Sequence, residues 1–81
     1  MPRVRIEIRY LPGVEDPEAL TIRKNLSALG YEDIDSVSSV KVYELDISGS
    51  AKDPDAIAKE LAEKILINPV IHEYKITRIS D

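Results

Sequence analysis

The chain has 81 residues, no cysteine, one histidine and a formal net charge of −4. A domain this small buries a modest core, and without cysteine it has neither disulfides nor thiolate metal sites to support it. Self-association or partners are therefore the expected aid to stability. Hydrophobic residues make up 43 % and charged residues 32 %, a globular balance without the basic excess of a nucleic-acid binder. The longest apolar runs are three residues, as in Ile65-Leu66-Ile67, too short to cross a membrane. The N-terminus has no apolar stretch of signal-peptide length, so a cytoplasmic location is the default expectation.

Residues 3–11 alternate strictly. Val4, Ile6, Ile8 and Tyr10 share one face, and Arg3, Arg5, Glu7 and Arg9 share the other. Period two predicts a strand with one buried face. Leu11-Pro12-Gly13-Val14 breaks it. Asp16-Pro17-Glu18 starts a helix, with Asp16 as cap and Pro17 at the first helical position. Ala19, Ile22, Leu26 and Leu29 form its apolar stripe, and Gly30 stops it.

Residues 34–47 read as strand with a change of phase. Val40 and Val42 are even-numbered, whereas Tyr43, Leu45 and Ile47 are odd. A one-residue slip predicts a bulge, a bend or two tightly joined strands. Ser48-Gly49-Ser50 ends the segment. Asp53-Pro54-Asp55 repeats the helix-start chemistry, and Ala58, Leu61, Ala62 and Ile65 make the second stripe. Lys59 with Glu63, and Glu60 with Lys64, are pairs on its solvated side. Asn68-Pro69 stops this helix, and residues 70–79 form a last strand.

Asp16-Pro17-Glu18-Ala19-Leu20 recurs as Asp53-Pro54-Asp55-Ala56-Ile57. Either this is a common helix start used twice or it marks a duplicated strand–helix unit. Both readings lead to one domain over residues 1–81 in the order β-α-β(β)-α-β. That order predicts an α+β ferredoxin-like sandwich, an antiparallel sheet with two helices on one face.

No catalytic constellation accompanies this fold. His72 has no cysteine or nearby serine to activate and reads first as a packed strand residue. The glycines Gly13, Gly30 and Gly49 are too dispersed for a phosphate loop. The acids Glu15, Asp16 and Glu18, and Asp53 and Asp55, sit where helix caps and dipole partners belong. The basic stripe Arg3, Arg5 and Arg9 reads as a solvated face that pairs with acids or guards a strand edge. With no Phe and no Trp, a stacking RNA platform is not expected. A domain of this kind acts by contact.

The segment Leu66-Ile67-Asn68-Pro69-Val70-Ile71-His72-Glu73-Tyr74 resembles the L-x-N-P-V-I-x-x-Y signature of the PurS subunit of phosphoribosylformylglycinamidine synthase. Pro12-Gly13-Val14-Glu15-Asp16-Pro17 and Leu26-x-x-Leu29-Gly30-Tyr31 are similar to two further patches of that family. The chain departs from it at Leu11, where the family often has Lys, and at Ala19 and Val40, where it often has Gly. The resemblance implies a non-catalytic subunit of a purine-biosynthesis complex. With ATP and glutamine, that complex converts formylglycinamide ribonucleotide to formylglycinamidine ribonucleotide, ADP, phosphate and glutamate. It implies a glutaminase partner, PurQ, that releases ammonia, and a synthetase partner, PurL, that binds ATP and Mg. This chain would bind between them, help the ammonia pass, and hold no cofactor itself. It also implies a homodimer or higher homo-oligomer completing the sheet sandwich.

The expected contact residues are Asn68, Pro69, Val70 and Ile71 at a rigid corner, Gly13 and Val14 in the loop before the first helix, and Tyr74. Each has a plainer reading beside it. The corner is also a helix stop and strand start, Val14 a staple onto the helix, and Tyr74 a core edge. Two other functions compete. One is a ferredoxin-like domain that senses a small molecule at a subunit interface. The other is a hydrolase or isomerase using His72 and a carboxylate. Fold alone does not separate them.

Overall fold

The computed structural model describes residues 2–48 and 53–80. Three strands form one antiparallel sheet in the order β2-β1-β3. They are β1 (Arg3–Tyr10), β2 (Val40–Asp46) and β3 (His72–Ser80), and the helices are α1 (Pro17–Ala28) and α2 (Pro54–Leu61). β1 is central, so the alternation of its side chains decides what each face of the sheet becomes.

On the inner face Val4, Ile6 and Ile8 are almost fully buried. Their cross-strand partners include Leu45 and Tyr43 on β2 and Ile76 and Tyr74 on β3. Helix α2 closes this face with Ala58 and Ala62, both fully buried, and Ile47 completes the core. Small side chains at these two positions, one turn apart, let the helix backbone approach the sheet closely. On the outer face Arg3 and Arg5 reach Glu44 at 3.2 and 2.8 Å. Arg3 and Arg5 thus pair with acids of β2, Arg9 lies 4.0 Å from Glu7 on its own strand, and because β1 is the middle strand, guarding an edge is not the stripe's role.

The middle segment differs from the sequence expectation. Residues 34–39 run outside the sheet, and residues 40–46 form one strand without a phase slip. Val40 and Val42 lie opposite Arg9 and Glu7, on the charged face, while Tyr43 and Leu45 point inward. Valine favours extended backbone on either face of a sheet, so its position alone does not reveal the buried side. The register irregularity lies instead in β3, where Arg3 opposes Ser80 but Val4 opposes Arg78. Ile79 is the extra residue.

The boundaries of the last elements also move. α2 continues into one π-type turn, Ala62–Leu66, closed by the Ile67 N–H donating to the Ala62 carbonyl at 3.0 Å. The helix therefore ends before Asn68, and the final strand begins at His72 rather than residue 70. Of the expected Ser48-Gly49-Ser50 break, residues 49 and 50 lie outside the described residues.

The two helices are placed very differently. α1 buries only Ala19, while Ile22 and Leu29 are 41 % and 74 % exposed. The radius of gyration is 16.3 Å and the longest extent 53 Å, against roughly 12 Å for a compact chain of this length. Most of the α1 stripe has no surface of its own chain to cover it.

Candidate interaction surface

One end of the sheet joins the loop after β1 to the corner before β3. Tyr10 ends β1 and His72 begins β3 as its register partner. Their rings lie 5.0 Å apart with planes tilted by 51°. One residue further out, the Leu11 N–H donates to the Ile71 carbonyl at 2.8 Å. This bond sets the loop after β1 against the corner before β3. It brings Leu11, two residues before Gly13, against Ile71, sixty residues further along the sequence.

Each side of this junction is locally fixed. In the loop, the Val14 N–H donates to the Leu11 carbonyl at 3.0 Å, and Gly13 takes φ +84°. That is left-handed backbone, which glycine adopts without a Cβ penalty. In the corner, the Asn68 carbonyl accepts N–H bonds from Ile71 and His72 at 3.0 and 2.8 Å. Asn68 Oδ1 accepts the Val70 N–H at 3.0 Å, an Asx turn. Val70 is left 77 % exposed on this rigid corner.

Asp16 ties α1 to the same end. Oδ1 accepts the Ala19 N–H at 3.0 Å, the expected cap. Oδ2 accepts the Ser39 N–H at 2.8 Å and the Ser39 hydroxyl at 2.7 Å. The bonds from Ala19 and then Ser39 hold this carboxyl below its ordinary pKa. Asp16 thus anchors both the helix start and the segment leading into β2. The sequence showed only the cap, because Ser39 is 23 residues away and carries no local signal of the contact. Asp53 caps α2 through the Ala56 N–H at 3.1 Å, and Asp55 pairs with Arg78 at 3.2 Å.

Tyr74 lies apart from this junction. It packs against the core from β3, and burial, together with the Glu63 carboxylate, pushes its hydroxyl pKa up. The core-edge reading applies to it. Sequence reasoning missed the exposed apolar surface that runs out along the α1 arm: Ile22, Leu29, Tyr31 (60 % exposed) and Ile34 (42 % exposed). Helical periodicity locates the stripe on α1 but not what the stripe faces. Among the described residues no three His, Cys, Asp or Glu side chains converge as metal ligands. No helix among them is long and apolar enough to cross a membrane.

The chain is thus a small α+β scaffold whose conspicuous features are surfaces for contact. The family model for PurS, phosphoribosylformylglycinamidine (FGAM) synthase, matches residues 3–80. A phosphoribosylformylglycinamidine synthase subunit PurS of Archaeoglobus fulgidus is 40 % identical over 72 residues, covering 88 % of this chain and 90 % of that one. The structure of PurS from Bacillus subtilis superposes with a TM-score of 0.88 at 30 % identity, covering 99 % of this chain and 100 % of that one. A chain in the structure of PurLQS from Thermotoga maritima superposes with a TM-score of 0.80 at 25 % identity, covering 96 % of each chain. This chain belongs to the PurS family, the small subunit of FGAM synthase in purine biosynthesis.

Proposed function

We propose that this chain is the non-catalytic contact subunit of an FGAM synthase complex. It sits between a PurL synthetase and a PurQ glutaminase and helps ammonia pass from one to the other. The likeness to a chain of PurLQS supports these partners. ATP and Mg belong to the synthetase, and this chain holds no cofactor of its own. The chemistry explains the need for such a subunit. Ammonia released into neutral water is mostly protonated, and ammonium has no lone pair with which to attack. A path shielded from water keeps it reactive.

The observation that carries this reading is the uncovered apolar stripe of α1. Exposed contiguous apolar surface marks an interaction site, and this one extends from a domain whose own core is small. A second copy of the chain covers that stripe in a homodimer or larger assembly, and the other surfaces are left for the two larger subunits. Gly13, Val14 and residues 68–71 form one such contact, since the Leu11–Ile71 bond joins the loop and the corner that carry them.

A reconstitution assay tests the proposal. Purified synthetase and glutaminase are combined with and without this chain, and ADP release is measured with glutamine and then with an ammonium salt. The expected result is a strong dependence on this chain with glutamine and little dependence with ammonium. Equal rates with and without the chain under both conditions overturn it. A thermal shift of the isolated chain by amino acids or nucleotides would instead favour a ligand-sensing domain.

A further inference from the structure

The corner at residues 68–72 contains one bond that depends on the protonation state of a side chain. The backbone N–H of Asn68 donates to Nδ1 of His72 at 2.9 Å. In return, the backbone N–H of His72 donates to the Asn68 carbonyl at 2.8 Å. The two residues are thus clasped by two hydrogen bonds of opposite sense. One uses backbone groups only, and no change of pH near neutrality affects it. The other needs a lone pair on Nδ1.

A neutral imidazole has one donor nitrogen and one acceptor nitrogen, and its cation has two donors. The bond from Asn68 therefore fixes the neutral tautomer that carries its proton on Nε2. Protonation places a second N–H where the lone pair was, and two donors then face each other across the same gap. The ring has little freedom to evade this. One side of it lies against Tyr10, and its backbone is the first residue of β3, paired to the end of β1. Turning the ring over would present a carbon to the Asn68 N–H, which leaves that donor unpaired as well.

We propose that His72 is a pH-sensitive latch on the Asn68–Ile71 corner, closed when the imidazole is neutral and released when it is protonated. Histidine is the side chain whose charge ordinarily changes between about pH 5 and 8, and this chain has only one. The hollow beside the ring is shared with Glu18 from α1, Arg9 and Tyr10 from β1, and Lys41 and Tyr43 from β2. Glu73, next along β3, lines other hollows, on the opposite side of the strand. The bond to Asn68 sets the consequence of a change in the ring's charge. The latch is a property of this chain alone, so its test does not depend on the proposed partners.

The experiment is nuclear magnetic resonance on the full chain between pH 7.5 and 5.5. Long-range nitrogen–proton spectra report the His72 tautomer. Exchange of the Asn68 amide, corrected for its intrinsic pH dependence, reports the bond. At pH 7.5 the ring is expected with its proton on Nε2. As the ring titrates, Asn68 protection is expected to fall about fivefold, the scale of one net hydrogen bond. His72→Gln keeps an acceptor that does not titrate, so its Asn68 protection is expected to be high at both pH values. His72→Phe keeps the ring against Tyr10 without an acceptor, so its protection is expected to be low at both. A proton on Nδ1 at pH 7.5, unchanged Asn68 protection in the wild type, or the wild-type pH response persisting in His72→Phe overturns the latch.

Discussion

Helices α1 and α2 begin with nearly the same words and end in different surroundings. Asp16-Pro17-Glu18-Ala19 and Asp53-Pro54-Asp55-Ala56 both place an aspartate at the cap, a proline at the first helical position and an acid in the first turn. Both caps form as expected, at 3.0 and 3.1 Å. Yet α2 lies on the sheet with Ala58 and Ala62 fully buried, while α1 leaves Ile22 and Leu29 in the open. The first turn specifies that a helix starts. The stripe then specifies what it can meet. Alanines suit close packing on the chain's own sheet, and the larger Ile22, Leu26 and Leu29 supply apolar area for a partner. Local capping chemistry is interchangeable between the two helices, and tertiary role is not.

The largest effect is expected on α2. Ala58→Asp forces an unpaired carboxylate into the space against Val4 and Ile6, a cost of more than about 3 kcal/mol. For a domain this small, far-UV circular dichroism at 25 °C should show an unfolded chain. The corresponding change on α1, Ile22→Glu with Leu29→Glu, should keep the helical spectrum but lower the mass in sedimentation, because it charges the surface proposed to be covered by a second copy. If the α1 double variant unfolds while Ala58→Asp remains folded, the contrast between the helices is the wrong way round.

A smaller effect should separate the two caps. Asp16→Ala is expected to lower the melting temperature by about 5 °C and Asp53→Ala by less, since Asp16 also holds Ser39 and Asp53 has only its own helix. The Asp16 cap should also respond to acid. Asp16 has a folded pKa below its ordinary value of 3.8. Its contribution is therefore fully present above that value and is lost as pH falls through the lower folded value. Melting between pH 6 and 2.5 should show this loss in the wild type and a shallower acid response in Asp16→Ala. Identical acid profiles would mean that the hydrogen bonds accepted by the Asp16 carboxylate from Ala19 and Ser39 add nothing.

Much of the fold was legible in the residues. The alternation of Val4, Ile6 and Ile8 marks the central strand, and the paired Asp-Pro starts place both helices. The outward-facing valines of β2 misled the reading of the middle segment, because hydrophobicity marks burial only on average. The loop that carries Gly13 and Val14 is bonded to the corner at residues 68–71 through Leu11 and Ile71, and nothing in the sequence spacing shows it. Their contact depends on the register of β1 against β3. Tyr74 could be assigned to the core edge only once Glu63 and the sheet were in place.

By itself, the sequence determined the order of strands and helices, the two helix starts, and the buried face of β1. It also carried the three patches that resemble the PurS family. Those are consequences of short-range physics: rotamers, caps, turns and periodicity. Only the tertiary structure decided that α1 stands away from its own sheet, that Asp16 reaches Ser39, and that the loop after β1 meets the corner before β3. Each of these rests on strand register and on the limited apolar area one small sheet offers. Helix α2 takes the inner face of that sheet, and most of the stripe of α1 is left exposed.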